Sequence, residues 1–304
     1  MSDDGSLAIV VIAMVGNPFS PEYFRARRRG GASALHHAAM NVALYGRRRG
    51  LLSPGTPSAF ALDEGPIPHA FRTAGGLRIG RSTMAWEGDR LVVDLDERTT
   101  ELGVGRPRPV RGRIVITPEA MPGLDLPIDE HGQHRWWPVA PLARIDVALR
   151  EPAVRFSGHG YHDANAGEVG LERSFDRWSW SRARLPRGAG AALTYDVRCR
   201  SGATRTHAFR VAGNGDVDGL GDTWTAPLER SAWGLDRVAR VDRGASARLV
   251  RSLEDGPFYT RSLVETRLRG APVLAMHESL AGDRLRQAWV RFCTAYRMRT
   301  PTRG

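Results

Sequence analysis

The stretch His131–Glu172 reads H-G-Q-H-R-W-W-P-V-A-P-L-A-R-I-D-V-A-L-R-E-P-A-V-R-F-S-G-H-G-Y-H-D-A-N-A-G-E-V-G-L-E, and its spacing decides the fold class. It holds four of the nine histidines and two of the eight tryptophans, with prolines and glycines that leave little room for long helices. Ile145, Val147 and Leu149 alternate with Asp146 and Arg150, the period-two signature of a half-buried strand. In extended backbone residues two apart share a face, so His134 goes with Trp136, and His159 with Tyr161 and Asp163.

Outward from this stretch the same period recurs. Strands are expected at Leu7–Val15, Leu91–Leu95, Gly112–Thr117 and Arg144–Arg150. After it they are expected at Ala192–Arg200, His207–Val211, Ala245–Leu253, Phe258–Leu268 and Ala271–Met276. In Ala192–Arg200 the residues Leu193, Tyr195, Val197 and Cys199 line one face. The segment from Asn17 to Gly31 is a proline-punctuated loop with one short helical turn, H-H-A-A-M-N-V-A-L-Y-G is a short apolar segment, and 51–75 is loop. One helix is expected, Ser279–Phe292, with Leu280, Leu285, Trp289 and Phe292 as its apolar positions. Many short strands separated by turns predict an all-β protein, sandwich or barrel, with few short helices. The length fits two consecutive units, 1–168 and 169–304.

The formal charge is +11, and all 44 basic residues are arginine. They are spread along the chain, clustering only at Arg25, Arg27, Arg28 and Arg29 and at Arg47, Arg48 and Arg49. No basic-aromatic motif accompanies them, so no nucleic-acid partner is expected; the clusters suit solvent or an anionic membrane surface. Cys199 and Cys293 are far apart, which predicts neither a disulfide framework nor a zinc knuckle and fits a reducing compartment. The apolar run Leu7–Val15 is too short for a spanning helix and has the wrong leader for a signal peptide.

His131-x-x-His134 and His159-x-x-His162 invite a metal reading, but in strands an odd spacing sends the two rings to opposite faces, so no metal is expected. His134, Trp136, Tyr161 and Asp163 keep even spacing and can converge on one space. That space is either a catalytic site or a polar network bracing a barrel mouth, and spacing alone leaves both open. Trp178 and Trp180 add aromatic surface nearby, as core or, together with His159, as substrate contacts.

Several blocks in order are similar to one family. They are V-G-N-P-F-S-P-E-Y-F-R-A-R-R, N-V-A-L-Y-G, H-R-W-W-P-V-A-P-L-A-R-I-D-V, S-G-H-G-Y-H-D-A-N-A-G, W-S-W-S-R-A, L-E-D-G-P-F-Y-T-R-S and H-E-S-L-A-G-D-R-L-R. The chain resembles the acyclic carotenoid 1,2-hydratases over about Val15 to Met298. The resemblance implies a lipocalin-like fold of two β-barrel-type domains. It also implies cofactor-free addition of water to the terminal C1=C2 bond of neurosporene or lycopene. The residues implicated are His134, Trp136, Tyr161 and Asp163, with the aspartate as proton donor. A bilayer-dissolved substrate implies a cytoplasmic protein peripheral to the inner membrane. A terpenoid or polyketide cyclase on the same scaffold, or a lipocalin-like carrier, are the other readings.

Overall fold

The computed structural model describes residues 1–46, 58–64, 70–100 and 106–297. A three-stranded antiparallel sheet is formed by β1 (Ala8–Met14), β2 (Ala39–Tyr45) and β3 (Ala59–Glu64). An eight-stranded sheet follows from β4 (Ala70–Arg72), β5 (Gly76–Ile79), β6 (Ser82–Glu87), β7 (Arg90–Arg98), β8 (Pro109–Ala120), β9 (Leu126–Pro127), β10 (His134–Glu151) and β11 (Val154–Gly167). Its order is β11-β10-β8-β7-β6-β5-β4, with β9 added to β10.

The second half builds a seven-stranded sheet, in which β12 (Phe175–Arg184), β13 (Ala191–Cys199), β14 (Thr204–Val211) and β15 (Val217–Gly219) are followed by a separate pair, β16 (Thr223–Leu228) with β17 (Arg237–Asp242). It is completed by β18 (Arg248–Asp255), β19 (Tyr259–Leu268) and β20 (Ala271–Ala281), in the order β15-β14-β13-β12-β20-β19-β18. Among the described residues the α-helices are α1 (Pro21–Arg29), α2 (Leu171–Ser174) and α3 (Ala288–Arg297). The protein is all-β and lipocalin-like, as its strand periodicity and family resemblance led us to expect.

The hairpin β10–β11 is the shared wall. Its one face carries Ala143, Ile145, Val147 and Leu149 into a core with Val42, Leu91, Val93 and Ile114. Its other face sends Trp136 and Leu142 into a second core with Phe175, Trp180, Leu193, Tyr195 and Phe209 of the seven-stranded sheet. Two register shifts in β10, between Trp137 and Ala140 and between Ala140 and Ala143, contain Pro138 and Pro141. Proline has no N–H for the ladder, so bulges are where a central strand can hold it. Each bulge sets an extra β10 residue against β11. Ala140 therefore turns toward the first core, and beyond the second bulge the odd-numbered positions Ala143, Ile145, Val147 and Leu149 face that core while Leu142 faces the second.

Several elements differ from the sequence-based expectation. The segment near Ser20 is a nine-residue helix, α1, rather than a single turn. Ser20 Oγ accepts the Tyr23 backbone N–H at 3.1 Å and Pro21 opens the first turn, a capped start that loop-rich composition hid. The expected loop 51–75 contains strand residues Ala59–Glu64 and Ala70–Arg72, because the first pairs with β2 and the second closes a hairpin with β5. The expected helix Ser279–Phe292 is strand through Ala281, and the helix begins only at Ala288. There β19 and β12 pair with Ser279 and Leu280 from both sides, and lateral hydrogen bonds override a loose helical period. The Arg47, Arg48 and Arg49 cluster lies outside the described residues.

Candidate active site

Within β11, Tyr161 and Asp163 keep the common face that their spacing predicts, and that face looks onto the seven-stranded sheet. Trp136 is paired across the hairpin with Asn165, so its fully buried indole lies on the same side. Its Nε1–H donates to Asp163 Oδ2 at 3.0 Å and to Tyr161 Oη at 3.2 Å. Asn165 Nδ2 adds a longer bond to the same Oδ2, at 3.4 Å. Both N–H donors thus converge on one carboxyl oxygen.

Facing them, directly opposed residues run across the seven-stranded sheet as a row: His207, Tyr195, Trp180, Glu278, Arg261 and Glu254. Opposed residues on adjacent strands project to one side. Tyr161 sits 5.0 Å from the Trp180 ring, and Trp136 meets Tyr195 edge-on at 5.2 Å. Trp178, two residues before Trp180 and on the same face, contacts Tyr195 at 5.5 Å and Tyr259 at 6.3 Å. The carboxyl therefore lies in a cleft walled by aromatic rings, with Asp163 and Tyr161 half-buried rather than sealed.

Crowding by these walls strips water from Asp163 and pushes its pKa up to about 6. Hydrogen bonds from Tyr161, Trp136 and Asn165 pull it down, and the nearby Glu278 charge pushes it further up. Burial also holds the Tyr161 phenol well above its usual value, so it stays a neutral donor. At pH 7 about one Asp163 in ten then carries a proton, against about one in a thousand for an ordinary aspartate.

The remaining expected site residues are placed elsewhere. His134 is buried on the face of Trp136, but its Nε2 lies 3.1 Å from Ser174 Oγ and its ring packs on Phe175 at 4.6 Å. Among the described hydrogen bonds it makes none to Asp163. It locks the start of β10 to α2, so closely that a Cβ on Gly167 would fall 2.3 Å from its Nδ1. Burial lowers its pKa, so the ring is neutral there. His159 sits at the far end of the face, bonded to Arg184 and 3.3 Å from Asp3. His162 points to the opposite side, 6.0 Å from Trp86, as odd spacing requires. Tyr195, Tyr259, Arg261 and Glu278 were missed by the sequence reading. The available signal was the alternation of Met276, Glu278 and Leu280, a single carboxylate on an otherwise apolar face.

Two antiparallel sheets facing each other across a shared hairpin, with a carboxyl of raised pKa among aromatic rings, define a lipocalin-like protein with a candidate acid site between its sheets. The chain belongs to the carotenoid hydratase family CrtC, whose match spans residues 11–303, and it is therefore a hydratase of the lyase class. It is 40% identical to the acyclic carotenoid 1,2-hydratase of Thiocapsa roseopersicina over 98% of this chain and 70% of that protein. It is 35% identical to the acyclic carotenoid 1,2-hydratase of Rubrivivax gelatinosus over 98% of this chain and 71% of that one. In fold it is similar to a putative AttH from Nitrosomonas europaea, with TM-score 0.62, 13% identity, and coverage of 92% of this chain and 88% of the other.

Proposed function

We propose that the chain hydrates the terminal C1=C2 bond of an acyclic carotenoid such as neurosporene or lycopene, with Asp163 as general acid. The observation that carries this reading is a carboxyl with a pKa near 6, held by an indole N–H and walled by four aromatic rings. Both N–H donors sit on Oδ2, and in this reading Oδ1 carries the proton to C2. The tertiary cation formed at C1 lies against Trp180, Trp178 and Tyr161, whose π faces stabilise it by about 2 kcal/mol once desolvated. Water then captures it to give a tertiary alcohol. His134 acts by position, through its contacts with Ser174 and Phe175, rather than by proton transfer. No cofactor is required. Purified protein with lycopene in liposomes and nothing else added yields a product heavier by one water; unchanged lycopene would reject the reading.

The protonated acid is the active form, and the pH profile follows from that. Below pH about 6 Asp163 holds its proton, and above it kcat/KM falls about tenfold per pH unit. Initial rates between pH 5 and 9 check this, and a rate rising with pH over that range would contradict it.

The substrate reaches the protein from a bilayer, and among the described residues no helix is long and apolar enough to cross one. We take the contact to be peripheral, on the cytoplasmic face of the inner membrane, through Trp233, Trp289 and Phe292. These are 46%, 45% and 70% exposed, and the two indoles stack at 6.0 Å. Arg291, over the Phe24 ring at 4.6 Å, brings positive charge to the same surface. A W289S/F292S variant floats with anionic liposomes about tenfold less; equal partition would remove the patch from consideration. The sheets also support division into units 1–168 and 169–304, since the eight-stranded sheet ends at Gly167 and the seven-stranded one opens at Phe175.

A further inference from the structure

The row across the seven-stranded sheet holds one group that acid chemistry at Asp163 leaves without a role. Glu278 is the immediate neighbour of Trp180 on β20, one strand spacing of about 4.8 Å beyond the ring that Tyr161 touches. Its side chain is 20% exposed and therefore not sealed from solvent. Behind it stands Arg261, 1% exposed, whose Nε donates to Glu278 Oε1 at 2.8 Å. Arg261 is itself fixed by Tyr45 Oη at 2.8 Å and by Glu254 at 3.3 Å, with its guanidinium 5.4 Å from the Tyr259 ring centre. A carboxylate anchored in this way cannot swing aside, and a fixed charge is what stabilises a developing cation without reorganisation. The Glu278 charge is felt at Asp163, Tyr161, Tyr195 and Tyr259 alike, which places it electrostatically inside the aromatic cleft.

We infer that Glu278 is a second catalytic residue, the carboxylate that faces the C1 cation and receives the proton of the attacking water. This rests on the hydratase reading given above. In the step, the π electrons of C1=C2 take the Asp163 proton to form the C2–H bond, leaving the Asp163 carboxylate and the cation at C1. A water lone pair forms the C1–O bond, and the resulting oxonium gives one proton to Glu278. Glu278 releases that proton to solvent while Asp163 takes one up, so both carboxyls return to their starting state and the net change is alkene plus water to alcohol. An oxonium is a very strong acid. The Glu278 carboxylate is therefore a sufficient acceptor, and what it must supply is placement and charge.

The test separates cation formation from cation capture. In D2O, Asp163 delivers a deuteron to C2, and any cation that escapes capture returns to alkene by losing hydrogen from that carbon, leaving deuterium in the recovered carotenoid. Glu278→Gln is expected to lower hydration at least 100-fold while deuterium still enters recovered lycopene, with a melting temperature close to that of the parent. Glu278→Asp, which keeps the charge but shortens its reach, recovers part of the hydration, and it carries the test should the Gln variant fold poorly. Hydration by Glu278→Gln within a few-fold of the parent would overturn the assignment. So would equal loss of hydration and exchange, because Glu278 would then act only by holding Asp163. A parent protein that neither hydrates nor exchanges lycopene sinks the hydratase reading itself, whatever Glu278 does.

Discussion

Asp163→Asn is expected to abolish hydration, by 1,000-fold or more, without harming the fold. Asparagine fits the same space and keeps an oxygen for the Trp136 N–H, but it has no proton to give to an alkene. No other described acid is bonded to Trp136 and Tyr161. The thermal behaviour gives a second readout whose sign follows from linkage. The folded pKa of about 6 lies above the ordinary 3.8, so the folded state binds the proton more tightly than the unfolded chain. The parent therefore loses stability as pH rises from about 4 to 6 and does not regain it above. Asparagine has no such dependence. The variant should melt at or above the parent temperature at pH 8, with its relative advantage smaller at pH 4. Turnover by Asp163→Asn above about 1% of the parent rate would require another acid.

Arg261→Met carries the largest expected cost in stability. The guanidinium is 1% exposed and stands between Glu254 and Glu278 while holding Tyr45 of the three-stranded sheet. Methionine fills much of its volume but leaves two carboxylates facing each other with no countercharge. Breaking a buried pair by removing one partner costs about 3–5 kcal/mol. For a chain of this size that corresponds to a melting temperature lower by roughly 5–8 °C. It should also impair hydration, since Glu278 loses its anchor. Replacing Arg261, Glu254 and Glu278 together by apolar residues should recover much of the stability and none of the activity. A melting temperature of Arg261→Met within 2 °C of the parent, by roughly the same scaling, would show that this network contributes little.

Part of the site is legible in the residue spacing alone. Even spacing puts Tyr161 and Asp163 on one face and Trp136 on the matching face of its own strand, and the hairpin register joins them as that periodicity allows. The same rule puts His134 beside Trp136, but it cannot say what the ring touches. Ser174 and Phe175 follow the hairpin and fold back onto it, so the His134 partner is set by a turn rather than by strand periodicity. His159 obeys parity too, yet it lies too far along the strand to meet Asp163 and is taken up by Arg184 and Asp3. At Ser279–Phe292 periodicity misleads, because a short apolar run satisfies a helical and an extended pattern about equally until lateral partners are known.

The all-β class, the alternation that assigns each side chain to a face, and the family of the chain all follow from the order of its residues. Those are local properties, since a strand's period-two pattern and a motif's order are complete within a few residues. Which faces meet is a different matter, and it is settled by tertiary packing. The neighbour of Trp180 is Glu278, nearly a hundred positions later, because β20 returns to pair with β12. No local pattern encodes that pairing. It follows from long-range strand register, chosen by the burial of both cores at once, and it sets the second carboxylate beside the cleft of the first.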